Sequence, residues 1–182
     1  MQTKRMVNLA LLLTFAVVIH TVEAVIPVPL PVPGAKLGLA NIITLLTLCF
    51  YGLGSGLTVA VLRSVLGSIF AGNFLGFGFF FSLAGGLLST LVMAAFLLLE
   101  RRNKISLVSV SIVGAVSHNT AQVVTAAFLI GNFYLISMYL PLLLVLALPT
   151  GFFTGLAARY LQETLQKVLP GLDRRAGAGQ EV

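Results

Sequence analysis

Few residues in this chain could do chemistry, and most of them stand in apolar surroundings. Ser117-His118-Asn119-Thr120-Ala121-Gln122 is the most polar stretch inside a hydrophobic run. If that run is helical, His118 and Gln122 share one face, with Asn119 beside them. An imidazole and two amides offer donors and acceptors together. In a dry interior they suit substrate binding or a proton relay; the plainer reading is helix-to-helix hydrogen bonding, worth about 0.6 kcal/mol per contact. Arg63 interrupts another apolar run. At membrane depth a lone arginine costs at least ~2.5 kcal/mol, so it needs Glu23, a carbonyl or an anionic ligand, unless a tilted helix lets it snorkel to the interface. His20 and Glu23, three apart, share a helix face and could hold a polar ligand or a proton, or pair with Lys36. Asn41 and Asn73 fall near helix ends, where an amide either touches a substrate or only closes a turn.

What is missing narrows the chemistry further. Asp173 is the only aspartate, so there is no acidic pair to hold the Mg²⁺ that diphosphate chemistry uses. No phosphate-cradling loop ending in Gly-Lys-Ser/Thr occurs, and no His/Cys/Glu cluster has metal-ligand spacing. Cys49 is the single cysteine, which rules out an internal disulfide and multi-cysteine metal or iron–sulfur sites. A self-contained ATPase or metal-dependent hydrolase is excluded. The expectation is a protein that is not an enzyme and holds no metal or cofactor. Any redox group would be flavin or quinone, because His20 and His118 are the only haem-type ligands.

The elements that must position these residues are membrane helices. Of 182 residues, 58 % are hydrophobic and 9 % charged, with mean hydropathy +1.06, whereas soluble domains carry about 25 % charged residues. A spanning helix needs about 20 apolar residues, and six segments qualify or nearly so: 6–26, 37–53, 57–70, 79–99, 105–130 and 133–156. The second and third are short and meet at Gly52-Leu53-Gly54-Ser55-Gly56, a predicted tight turn; the sixth is broken by Pro141 and Pro149. The fourth carries Ser82, Gly85, Gly86 and Ser89, small residues suited to close packing. Between the first two lies Pro27-Val28-Pro29-Leu30-Pro31-Val32-Pro33, which cannot be helical and must run extended, a candidate lid or site wall. The first segment also reads as a signal peptide with a cleavage site at Val22-Glu23-Ala24. Its apolar run continues past that site, which favours a retained helix.

Charge placement sets the topology. With both termini cytoplasmic and six helices, Lys4, Arg5, Arg101, Arg102, Lys104, Arg159, Lys167, Arg174 and Arg175 face the cytoplasm, nine of the eleven basic residues, as the positive-inside rule requires. The proline segment and Lys36 then face outward. The reading is an all-α, six-helix bundle over residues 1–160 in the cytoplasmic membrane. Residues 161–182 form a cytoplasmic tail that begins amphipathic and ends rich in Ala and Gly.

The blocks Pro33-Gly34-Ala35-Lys36-Leu37-Gly38-Leu39-Ala40-Asn41-Ile42, the Arg63 region, Gly72-Asn73-Phe74, Ser82-Leu83-Ala84-Gly85-Gly86 and Gly114 through Gln122 resemble the Gx transporter family, often labelled heptaprenyl diphosphate synthase component I. That family is similar in size and layout to the substrate-binding S components of energy-coupling factor (ECF) vitamin transporters. The resemblance implies capture of a small vitamin, flavin or quinone precursor or isoprenoid-like solute from the outer face, with an ATPase module and coupling subunit as partners. In place of the Ala-x-x-x-Ala patch that S components carry on helix 1, this chain has Ala10-x-x-x-Thr14. Expected substrate-binding residues are His20, Glu23, Lys36, Asn41, Arg63, Asn73, His118, Asn119 and Gln122. The alternative is a non-catalytic membrane subunit of isoprenoid or quinone biosynthesis, or of an electron-transfer system.

Overall fold

The computed structural model describes residues 2–25 and 38–168; the proline segment and Lys36 lie outside the described residues. The described chain is helical throughout, with α1 Gln2–Val25, α2 Asn41–Phe70, α3 Phe77–Arg101, α4 Leu107–Ile130 and α5 Tyr134–Val168. All five are long and apolar enough to cross a membrane, so the chain is a multi-pass membrane protein. The helix count corrects the expected six. The second and third segments are joined in α2, whose one non-helical residue is Gly52, at φ 79° and ψ −174°. Only glycine reaches that backbone conformation without strain.

The join is a reversal. Asn41 and Arg63 stand eleven residues before and eleven after Gly52. A straight helix would separate them by about 33 Å, yet the Arg63 guanidinium donates to the Asn41 side chain at 2.7 Å. Val59 likewise packs with Ile43 and Leu46, and a Cβ at Gly56 would lie 2.6 Å from the Leu48 side chain. Thus α2 is a hairpin of two legs, and the expected glycine turn is made at a single residue. The first leg, Asn41 to Tyr51, is about 16 Å long at the α-helical rise, too short to span a bilayer core of about 30 Å.

The α2 hairpin sits at the centre, touching α1, α3, α4 and α5. Near the turn the interior is apolar: Leu45, Leu48, Cys49, Met93, Leu97, Leu107, Val110 and Ala158 form one core cluster. Arg5 reaches Ser55 at 3.1 Å and lies over the Tyr51 ring, so the basic start of α1 stands at this end. Ser106 caps α4 by accepting from the Ser109 N–H, and Gly131, left-handed at φ 71°, closes its other end. Glycines 151 and 155 let α5 approach α4 closely, since a Cβ at either would meet the Ile112 or Val108 Cα at 2.6 and 2.8 Å. That is the small-residue helix contact expected within membranes.

The expected break in the last helix is absent. α5 continues through Pro141 and Pro149 to Val168. Both prolines face away from the bundle. Polar side chains supply bonds to the carbonyls around them: Thr150 Oγ1 donates to the Leu146 carbonyl and Asn119 to the Leu143 carbonyl.

Candidate functional site

In the half of the bundle away from the Gly52 turn, polar side chains from four helices converge where neighbouring protein, not lipid, covers them. Arg63 is 1 % exposed. Its Nη2 donates to Asn41 Oδ1, an oxygen that Ser89 Oγ also approaches at 3.5 Å. The guanidinium lies against the α3 backbone at Gly86, where a Cβ would stand 3.2 Å from Nη2. Glu23, at the end of α1, accepts from the Gly38 N–H at 2.6 Å and from Leu39 N–H at 3.4 Å. It thereby ties α1 to the entry of α2.

His118 comes in from α4 between two glycines. A Cβ at Gly85 would be 2.7 Å from its ring, and one at Gly38 would be 2.9 Å from His118 Cδ2 and also 2.9 Å from Asn41 Nδ2. Gly38 has φ +82°, so glycine is needed there for conformation as well as space. His20 occupies the equivalent niche beside α1, packed against Gly67 with Ser82 Oγ at 3.4 Å from its Nδ1. Adjacent glycines 85 and 86 of α3 therefore seat His118 on one side and Arg63 on the other.

Several donors in this cluster have no hydrogen-bond partner among the described residues: Arg63 Nε, Asn41 Nδ2 and Thr44 Oγ1. Leaving a buried polar group unpaired costs about 1–3 kcal/mol, and bundles rarely tolerate several side by side. Arg63 Nε, Asn41 Nδ2 and Thr44 Oγ1 could each donate to an acceptor brought from outside the described residues. Among the described residues, no three His, Cys, Asp or Glu side chains are grouped to hold a metal ion.

Of the residues expected from sequence, the fold brings together His20, Glu23, Asn41, Arg63 and His118. Gln122 is buried one turn above His118 on the same helix. Asn119 is buried but turned to α5, where it bonds the Leu143 carbonyl. Asn73 lies in the loop between α2 and α3; its N–H bonds the Ser68 carbonyl and its own carbonyl accepts from Gly76, a turn-closing pattern. Lys36 lies outside the described residues. The sequence marks Gly85, Gly86 and Ser89 as packing residues and gives Gly38 and Thr44 no role, yet all five border this cluster or its orphaned donors. The double glycine opposite a buried charge was the available signal.

A sequence profile of the family described as heptaprenyl diphosphate synthase component I matches residues 12–161, the span that contains all of these groups except the start of α1. No curated relative and no solved structure matches the chain. The chain belongs to the heptaprenyl diphosphate synthase component I family.

Proposed function

We propose that this protein is a membrane solute-binding component that captures a small molecule at the cluster of Arg63, Asn41, His118, His20 and Glu23. The observation that carries the reading is a buried arginine whose Nε, together with Asn41 Nδ2 and Thr44 Oγ1, lacks an acceptor among the described residues. Charge inside a membrane is costly and marks ligand or ion pathways by default. Basic residues gather at the Gly52 end, with Arg5 beside Ser55, so the positive-inside rule puts the cluster in the outer half of the bilayer. In this reading both termini are cytoplasmic and the membrane is the cytoplasmic one. The likeness to ECF S components supports a vitamin-, flavin/quinone-precursor- or isoprenoid-like solute. It also supports an energising ATPase and coupling subunit as partners, for which the exposed Ala10 and Thr14 on α1 offer a small-residue contact. The protein itself performs no catalysis.

Solvent extraction and mass spectrometry of the full-length protein, purified in mild detergent, test this. A discrete small molecule at near-equimolar amount supports capture; bilayer lipid alone contradicts it. A second reading rests on the family description, since a "component I" implies a further component. In it the chain anchors a soluble prenyl diphosphate synthase, and stable co-purification with such an enzyme, with no extracted solute, would favour that role.

A further inference from the structure

We infer that the solute of the preceding reading carries one singly charged, carboxylate-sized anionic group, held beside the bonded Arg63–Asn41 pair. This rests on that reading and specifies the chemistry of its ligand. The Arg63–Asn41 bond fixes the amide: Oδ1 must face the guanidinium, because arginine has nothing but donors. Nδ2 is then turned the other way, towards Gly38 and the His118 ring, 2.9 Å from where a Gly38 Cβ would stand. Nδ2 and Arg63 Nε, which belong to the two side chains that this bond joins, are each without an acceptor, and Thr44 Oγ1 sits one helical turn further along α2 in the same condition. Donors without acceptors ask for oxygen atoms, and a guanidinium N–H favours a planar carboxylate over a neutral carbonyl.

Charge and space limit what fits. Arg63 is the one buried cation among the described residues, and the Glu23 carboxylate, bonded to the Gly38 N–H, stands beside the same cluster. A diphosphate, with two or more negative charges, would face that carboxylate with a single guanidinium to offset it. Backbone crowds the cluster as well: positions 38, 85 and 86 each lie within 3.2 Å of an Asn41, His118 or Arg63 atom, measured from a built Cβ. A carboxyl group, or the single charge of a headgroup phosphodiester, is the class that matches; a free solute and a lipid are its two sources, and we assign the first.

The test uses the full-length protein in phosphatidylcholine nanodiscs at constant ionic strength, with benzoate and butyrate set against benzamide and butyramide, read by thermal unfolding and saturation-transfer NMR. Carboxylates should bind at least tenfold tighter than their amides, and Arg63→Gln should erase the difference. Asn41→Asp guards against a merely unfolded variant. It puts a carboxylate against Arg63 from within, so the unliganded protein should melt higher than wild type and lose benzoate binding at least tenfold. Amides that bind as well as carboxylates would overturn the anion and leave solute capture standing. No binding of either class, with Asn41→Asp melting no higher than wild type, would also overturn the anion, and capture would then be judged by the extraction experiment alone. Stabilisation by phosphatidylglycerol nanodiscs, lost in Asn41→Asp and not reproduced by benzoate, would assign the anion to a lipid headgroup and overturn the solute-borne carboxylate.

Discussion

Two polar regions of this bundle are built from similar residues and come out differently. Along the α4–α5 seam, Ser111 and Thr154 bond each other at 2.9 Å, Asn119 bonds a carbonyl, and glycines 151 and 155 press one backbone on the other. Each of these polar groups finds a partner within the protein. Around Arg63 the helices are also glycine-lined and close, yet Arg63 Nε, Asn41 Nδ2 and Thr44 Oγ1 are left without one. The first arrangement holds helices together. The second keeps donors in reserve at a cost that packing alone does not require. Burial and polarity are common to both regions; what separates them is the group of adjoining donors left without acceptors around Arg63.

Substitutions can break that comparison in order of effect. The largest is Arg63→Met, which removes the buried charge but keeps much of the volume. We expect ligand retention to fall by two orders of magnitude or more and the unfolding temperature to drop as well, because losing one member of a buried charged set costs about 3–5 kcal/mol and leaves Glu23 without its counter-charge. Native mass spectrometry reads the first and thermal unfolding the second. Next come the glycines. Gly151→Ala and Gly85→Ala each force a methyl into an occupied position, an overpacking cost of about 1–3 kcal/mol. Both should lower the unfolding temperature in detergent, but only Gly85→Ala should weaken ligand binding, because its methyl displaces His118.

Smaller effects sharpen the contrast. Asn119→Leu removes the bond to the Leu143 carbonyl and should cost about 1 kcal/mol of stability, with ligand affinity unchanged; a loss of affinity would return Asn119 to the site. Ser111→Ala should cost about 0.6 kcal/mol and alter nothing else, measured by the same unfolding assay.

The residues that were legible in the sequence are those whose cost depends on composition alone. Arg63, Glu23, His20 and His118 stand out in any apolar run, and the fold gathers them. Asn119 was grouped with His118 because helical spacing gives neighbours, not directions; one residue's rotation, about 100°, turned it to α5. The helix count went astray at Gly52 because five glycine-rich residues read as a loop, whereas one residue at φ 79° makes the reversal and the helix resumes beside it. Pro141 and Pro149 misled for the opposite reason. A helix in lipid has no water to take over its backbone bonds, so it keeps its course through both prolines, which stand on its exposed face. Gly38 and Gly86 became site residues only when the hairpin brought Asn41 and Arg63 face to face.

The most direct test of the central claim is native mass spectrometry of the intact protein, released from detergent, as wild type, Arg63→Met and Gly151→Ala. If the Arg63 cluster is a binding site and the α4–α5 seam is only packing, one discrete adduct will appear on wild type and Gly151→Ala and be absent from Arg63→Met. The same adduct at equal occupancy on all three, or none on any, would contradict the claim and leave Arg63 as a structural charge.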